Sequence, residues 1–390
     1  IQFAGSVNFD TQIGNLNQGY MGENNKQFSL NDSYLTITGR ATPWANAFME
    51  ISFNNIQNTA LISSGLWDFN SNTPTQTFPG VYSSSYSLNK LDLQQGYITF
   101  GNPALFPIFL KIGKQFQDYG NYTLHPITRS LTQVMTETLQ TSVEISFISP
   151  WNTTGFHGSF FTFENEISNV DLDQIKTTPI QTAGNHGKTN FGGQLGISRF
   201  NSKFGVDLGV GYIYDLMGVT DIAYANSFLK NINYNTVTPG SEINTNQSYY
   251  IKSINGLTTY AMVNSGPFSL NIHYATALQS FDFHDINKSL NQSNVDYYKG
   301  AKPWAFDIQA AYGFNYLNKN QNLYVGYQQS GNAVALFIPQ NRWLAGYGVA
   351  ILDNASIGLE YTNDQAYGST YGGNNKNSSK FAIRANTIFG

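Results

Sequence analysis

The chain has 390 residues, of which only 11% are charged and 15% are aromatic. Soluble domains carry about 25% charged residues, so this chain is poor in the side chains that keep a protein dispersed in water. The formal net charge of -4 comes with scattered Lys and Arg and no basic stripe, which argues against nucleic-acid binding. The absence of Cys excludes disulfides, thiolate metal sites and a Cys nucleophile. No apolar run is long enough for a transmembrane helix.

The first predicted element is a strand at residues 1–14. Ile1, Phe3 and Val7 lie on one face of this segment, whereas Gln2 and Asn8 lie on the other. Successive side chains of a strand point to opposite faces, so this alternation predicts an amphipathic strand.

The same alternation returns along the whole chain. We predict sixteen strands, near residues 1–14, 30–42, 45–56, 91–101, 104–117, 138–149, 154–163, 190–200, 204–214, 250–264, 268–278, 304–314, 322–329, 341–351, 355–363 and 380–390. These segments run for about 9–12 residues, the length that a tilted strand needs to cross a bilayer, whereas strands of soluble proteins have about five or six. Weaker alternation near 91–101, 154–163 and 190–200 leaves fourteen or eighteen strands as alternatives.

The predicted connections alternate between short turns and long polar loops. Short turns at one end and long loops at the other are typical of outer-membrane barrels. The sequence therefore predicts an all-β fold, a single transmembrane antiparallel up-and-down β-barrel domain over 1–390 in the bacterial outer membrane, with both termini on the periplasmic side. Trp44, Trp151 and Trp304 each follow a Pro at a predicted strand end, where amphipathic aromatics mark the membrane boundary. The long loop 57–90 contains apolar residues that could plug the lumen, bind a partner or pack on themselves.

Extending the alternation assigns a set of ionisable side chains to the inside of the barrel, because a charge at mid-membrane on the lipid side costs about 2–4 kcal/mol. The set comprises Asp10, Arg40, Glu50, Lys111, Glu144, Asp207, His273, Asp307, Glu360 and Arg384. Two interpretations remain open: these residues line a pore and select solutes by charge, or they pair across neighbouring strands, with Lys111–Glu144 and Glu360–Arg384 as the expected pairs. No spacing typical of a catalytic or metal site is present, so we expect neither an enzyme nor a cofactor.

In length, alternation and turn asymmetry the whole chain resembles sixteen-stranded outer-membrane porins. The segment Leu110-Lys111-Ile112-Gly113-Lys114-Gln115-Phe116 is similar to a strand-to-loop segment of substrate-selective porins. The segments at 30–39 and 93–101, within an Asn- and Tyr-rich chain, resemble the LbtU-type siderophore porins of Legionella and Francisella. That resemblance implies uptake of iron bound to a polycarboxylate siderophore.

The resulting hypothesis is an outer-membrane channel that takes up a small solute, with a ferric siderophore as the leading candidate. Inward Arg40, Lys111 and Arg384 would attract an anionic chelate. A general or differently selective diffusion porin is the alternative, and a closed structural or adhesin barrel is a third. The expected partners are outer-membrane lipid, lipopolysaccharide and the solute.

Overall fold

A computed structural model describes residues 1–15, 24–30, 33–56, 88–102, 105–121, 127–149, 154–165, 168–171, 176–179, 188–201, 203–223, 225–226, 252–291 and 293–390. The apolar segment Leu61-Ile62 and 66–69, and Trp151, lie outside these residues. None of the helices in the described ranges is long and apolar enough to cross a membrane.

Long antiparallel strands make up most of the described chain. They are β1 Gln2–Asn15, β2 Asn24–Leu30, β3 Ser33–Thr42, β4 Ala45–Ile56, β5 Leu88–Phe100, β6 Ile108–Phe116, β7 Leu139–Ile148, β8 Thr154–Glu164, β9 Ser168–Asp171, β10 Lys176–Pro179, β11 Thr189–Phe200, β12 Phe204–Ile213, β13 Gly256–Ser265, β14 Phe268–Ala277, β15 Trp304–Tyr316, β16 Lys319–Gly331, β17 Asn341–Leu352, β18 Ala355–Gln365 and β19 Asn377–Phe389. Among the described residues the long loops contain an α-helix, α1 (Leu131–Thr136), further α-helical residues at 220–223 and 225–226, and 3-10 turns at Leu216–Gly218, Val295–Tyr298, Val334–Leu336 and Ser369–Tyr371.

The strands close into one barrel. Each strand pairs with the next along the chain, with two exceptions: β2 and β3 both pair with β1, and β8 pairs directly with β11 while β9 and β10 form a separate hairpin. β2 and β3 both pair with β1, so they are two segments of one barrel strand, which makes sixteen in all. β19 closes the ring on β1, with Gly5 opposite Phe389. Closure satisfies the backbone groups that an open edge would leave unpaired in hydrocarbon.

The predicted count of sixteen strands is confirmed, and most predicted bounds agree to within a few residues. The largest shift is at the predicted strand 250–264, which begins at Gly256 because Ile254 lies instead in the buried apolar cluster of the loops. Trp44 lies exposed in the β3–β4 turn, and Trp304 opens β15 at the long-loop end.

The two ends of the barrel differ sharply. Hairpins such as Gly266-Pro267 and Leu317-Asn318 connect strands at the short-turn end, with Gly266, Leu317 and Asn318 at positive φ. At the other end the loops pack inward against one another and against the strand ends. The resulting buried cluster includes Leu131, Met135, Phe161, Leu216 and Val334. Burial of apolar side chains from five connections gives the long-loop end a core of its own.

Candidate functional site: a charged lumen with a loop across it

Every ionisable residue that the sequence assigned to the inside of the barrel lies on its inward face. On β1 the inward face is that of buried Ser6, Asn8 and Asp10, because Val7 and Phe9 are exposed. The strand registers carry this face around the ring through Arg384, Arg40, Glu50, Lys111, Glu144, Asp207, His273, Asp307 and Glu360. The alternation of apolar and polar residues was sufficient to assign these side chains to the inward face. A register shift of one residue would turn each charged side chain toward lipid.

The expected pair Lys111–Glu144 is confirmed. The two residues lie directly opposite on β6 and β7, and Lys111 Nζ lies 2.6 Å from Glu144 Oε1. Ser146 Oγ donates to the same carboxylate oxygen over 2.7 Å. Glu144 is fully buried, so the Lys111 ammonium compensates a carboxylate that has lost its water.

The expected pair Glu360–Arg384 is wrong. The register sets Glu360 opposite Ala382, two positions away from Arg384, and sets Arg384 opposite Asp10. Arg384 donates from Nε and Nη2 to the two Asp10 carboxylate oxygens, each over 2.8 Å. This bidentate pair joins the last strand to the first.

Glu360 instead binds the loop between β6 and β7, residues 117–138, which we call the crossing loop. The two Glu360 carboxylate oxygens accept hydrogen bonds from the backbone N–H groups of Ile127 (2.8 Å) and Thr128 (3.0 Å). The Tyr324 hydroxyl also donates to Glu360, over 3.0 Å. Glu360 is only 1% exposed. β18 lies far around the ring from β6, so these bonds hold the crossing loop against a distant part of the wall.

Further contacts fix residues 129–133 of the crossing loop. Arg342 on β17 donates to the Arg129 carbonyl over 3.0 Å while its other nitrogens bind Asp364 over 2.6 and 2.8 Å. The backbone N–H of Leu131 donates to the Gln328 side chain over 3.2 Å. Ser130 caps α1 by accepting the N–H of Gln133. The crossing loop therefore spans the inside of the barrel from β6 to β14–β18.

Sequence reasoning missed several inward charges. Arg342 and Asp364 face each other on β17 and β18, and Lys380 lies on the inward face of β19. Each of these three residues lies at the end of a predicted strand or just beyond it. The ends of those strands were predicted from the outward-facing residues. Trp343 and Phe381 alternate with Arg342 and Lys380, so the same parity argument finds both when it is applied to the strand ends.

Two histidines belong to this inner surface. His157 on β8 lies 2.8 Å from Asp207 on β12, Nε2 to Oδ1. His273 lies opposite Asp307, and its ring packs edge-on against Tyr260 with the centroids 6.2 Å apart. Gln328 donates to Asp307 over 2.8 Å. Among the residues that the structure describes, no three His, Asp or Glu side chains are grouped as metal ligands.

Carboxylates outnumber cations on this inner surface. Among strand residues with described side chains, the inward carboxylates are Asp10, Glu50, Asp92, Glu144, Asp207, Asp307, Glu360 and Asp364, and the inward cations are Arg40, Lys111, Arg342, Lys380 and Arg384. Within the crossing loop, burial raises the pKa of the Asp118 carboxyl, and the neighbouring Glu144 carboxylate adds to this effect while Lys111 opposes it.

A cavity of about 440 Å³ lies on the short-turn side of the crossing loop. Ile127 bounds it at the loop, and polar inward residues of β16, β18 and β19 line it, among them Asn322, Ser356, Arg384 and Asn386. Ile127, Val349 and Ile357 also line the cavity, so its lining is mixed, and the Arg384 guanidinium is the charged group that it offers to a small hydrophilic solute. The loop tip held by Glu360 is therefore also a wall of this cavity inside the barrel.

The loops beyond the lumen carry their own ionic contacts. Lys299 and Lys288 bind the Asp296 carboxylate at 2.8 and 2.9 Å, and these hydrogen bonds hold its pKa below the ordinary value. Burial raises the pKa of Tyr367 to about 12, and its hydroxyl lies 2.6 Å from Ser330 Oγ. These bonds stabilise the loops that form the buried cluster.

No family model matches the sequence. The chain is 21% identical over 367 residues to a UPF0422 protein of Coxiella burnetii, and 24% identical over 300 residues to the UPF0422 protein lpp3030 of Legionella pneumophila. It spans 64% of the length of the Coxiella protein and 50% of the Legionella protein.

Solved structures of outer-membrane channels have the same fold. They include the channel DcaP of Acinetobacter baumannii (TM-score 0.53, 10% identity, 100% of this chain and 96% of that one) and the anion-selective porin of Comamonas acidovorans (0.53, 10%, 100% and 99%). OprB of Pseudomonas putida is similar as well (0.54, 10%, 99% and 94%). At this identity the likeness concerns the fold. With the closed ring of sixteen strands, it identifies the chain as a multi-pass β-barrel of the bacterial outer membrane.

Proposed function

We propose that this protein is an outer-membrane porin, a passive channel for small hydrophilic solutes whose bore is set by the crossing loop. The observation that carries the proposal is a cavity of about 440 Å³, lined by Arg384 and by both polar and apolar side chains, beside a loop that the barrel wall holds in place at Glu360. The porin fold of the structural neighbours supports the same function.

The excess of carboxylates over cations predicts a channel that prefers cations, since fixed charge along a narrow bore attracts counter-ions. Reconstitution of the purified protein in planar bilayers tests the proposal. We expect stepwise, ohmic conductance and a reversal potential of the sign of cation selectivity in a KCl gradient. A protein that is folded but gives no current is a closed barrel, and the porin proposal is then wrong.

The narrower proposal is uptake of a ferric polycarboxylate siderophore. Its support is the resemblance of segments 30–39 and 93–101 to siderophore porins. The charge argument for it is weaker than the sequence suggested, because Arg384 is paired with Asp10 and Lys111 with Glu144. Of the three cations expected to attract an anionic chelate, Arg40 is therefore the one whose charge these two pairs do not offset.

Addition of a ferric polycarboxylate to the bilayer chamber separates the two versions of the proposal. A siderophore channel is blocked transiently by the chelate, and its gene restores growth of an iron-limited host on that chelate. A general porin conducts without block and gives no growth advantage. The buried apolar cluster at the long-loop end favours a third candidate, a closed barrel that acts through its surface, and the same recording detects it as absence of current.

A further inference from the structure

A polar pocket lies on the outside of the barrel, where β16–β19 approach the long-loop end. Tyr327, Asn341, Trp343, Asn363, Gln365 and Asn377 line this cavity of about 370 Å³, which we call the amide pocket. Its residues have outward parity, because their chain neighbours Arg342 and Asp364 form the ion pair inside the barrel. Trp343 is 61% exposed. The amide pocket therefore faces the membrane environment and has no part in the solute path.

The height of the amide pocket follows from the outward residues below it. Moving toward the short-turn end, the outward positions become apolar or aromatic, with Val325 on β16, Tyr361 on β18 and Phe381 on β19 all exposed. Above the pocket, β16 and β18 end in the loops 332–340 and 366–376. The amide pocket thus lies where the apolar band of the barrel gives way to the headgroups of the outer leaflet.

Hydrogen bonds already organise the amide pocket. Tyr327 donates its hydroxyl to Asn341 Oδ1 over 2.9 Å, and Asn341 Nδ2 donates to Gln365 Oε1 over 2.9 Å. Asn363 Nδ2 donates to Ser379 Oγ over 2.9 Å. These bonds fix the orientation of the amides and leave the Asn363 carbonyl oxygen and the Gln365 amide hydrogens as groups for a ligand.

Two aromatic rings complete the amide pocket. Tyr327 and Trp343 lie on adjacent strands with their centroids 4.5 Å apart. Large rings beside fixed neutral donors and acceptors suit a ligand with both C–H faces and hydroxyl groups. The lining contains no Lys, Arg, Asp or Glu, so it offers no charged partner to a phosphate.

Two other outward ring pairs near the long-loop end of the described strands lack this arrangement. Tyr274 and Trp304 form a ring pair with centroids 6.4 Å apart, and Phe191 stacks on Tyr214 at 4.9 Å. The outward strand residues nearest to Tyr274 are Thr276, Phe306 and Thr259, none of them an amide. An ordinary boundary belt therefore accounts for these pairs, whereas the amide cluster of β16–β19 needs a further reason.

We propose that the amide pocket binds a neutral sugar unit of a glycolipid in the outer leaflet, with the sugar ring against Trp343 and its hydroxyl groups on Asn363 and Gln365. The occupant is a membrane lipid because the cavity opens sideways at headgroup height. It is a sugar-bearing lipid because the lining supplies neutral hydrogen bonds and ring faces. The site is independent of the channel activity proposed above.

Native mass spectrometry of the purified barrel tests this inference. The protein is stripped of lipid in detergent and titrated with a rough-type lipopolysaccharide of defined core, with phosphatidylglycerol as the comparison lipid. Asn363→Ala/Gln365→Ala and Trp343→Ala are the test variants. Tyr274→Ala is the matched control, an aromatic truncation in the same belt without amide neighbours. A gel shift on heating shows that each variant is folded.

We expect one tightly retained lipopolysaccharide per barrel, with binding about tenfold weaker in the double variant and within about twofold of wild type in Tyr274→Ala. Lipid-free core oligosaccharide should displace the bound lipid, and phosphatidylglycerol should not. Equal binding in the double variant and the control overturns the inference, as does displacement by phosphatidylglycerol alone. A change of oligomeric state in the double variant also overturns it, because the amide pocket is then an interface between copies.

Discussion

Removal of the Glu360 carboxylate should release the tip of the crossing loop. Glu360→Ala deletes the acceptor of the Ile127 and Thr128 N–H groups and of the Tyr324 hydroxyl. Hydrogen bonds to charged groups contribute about 1.5–3 kcal/mol each. The bonds at Arg342 and Gln328 remain, so we take the lower value for the two backbone bonds, about 3 kcal/mol. This raises the undocked fraction of the loop tip about 100-fold.

Single-channel recording in planar bilayers measures the release. The undocked tip no longer bounds the cavity below it, so Glu360→Ala should show added transitions between conductance levels and a higher mean conductance. Tyr324→Phe is the control: it removes one hydroxyl bond to the same carboxylate and leaves both backbone bonds intact, so its traces should resemble those of wild type. Glu360→Gln keeps the size and one acceptor oxygen, and should fall between the two.

Two results would refute this reasoning. If Glu360→Ala folds and records like wild type, the carboxylate does not hold the loop. If Tyr324→Phe disturbs the traces as strongly as Glu360→Ala, the effect comes from the Tyr324 contact and not from the two backbone bonds.

Three further predictions concern charged side chains. Arg384→Leu removes the bidentate ion pair with buried Asp10 and should lower the free energy of unfolding by about 3 kcal/mol. The unfolding temperature in detergent should fall, and Asp10→Asn should partly restore it. An unchanged unfolding temperature contradicts this prediction. Lys111→Met should shift the reversal potential toward stronger cation selectivity and Glu144→Gln the opposite way, whereas identical potentials exclude both from the path. The raised pKa of Asp118 means that the folded state binds this proton more tightly than the unfolded chain. Asp118→Asn should therefore stabilise the barrel at pH 8, and the gain should vanish as the pH falls below 3.8, the ordinary Asp pKa.

The sequence predicts which face of each strand points inward, because a charged side chain on the lipid-facing side is destabilising. A single-residue slip would put Glu144 or Asp307 into lipid, so alternation decides which way each side chain points. The same alternation does not predict the register between neighbouring strands. Glu360 and Arg384 have the same parity, yet they are offset by two positions across β18 and β19. Which charge pairs with which therefore depends on a register that the pattern leaves open.

The crossing loop could not be placed from the sequence for a different reason. Its anchors are backbone N–H groups of Ile127, Thr128 and Leu131, and every residue except Pro offers such a group. The apolar Leu131 and Met135, four positions apart in a polar loop, were the available signal for a short amphipathic helix. The wall that this helix packs against lies on strands far along the chain, which local patterns do not specify.

The pairing of β19 with β1 has a consequence for how the barrel forms. Asp10 and Arg384, which meet at that seam, are 374 positions apart in the chain. Contacts between distant residues form late because a long segment must be ordered first. Until the final strand pairs with it, β1 has a row of unpaired N–H and C=O groups. These groups are destabilising in hydrocarbon, and they can pair with the strands of other chains. The edge of β1 must therefore be covered during insertion until β19 is in place. A substitution at the β1–β19 seam should accordingly lower the yield of assembled barrel more than it lowers the stability of a closed barrel.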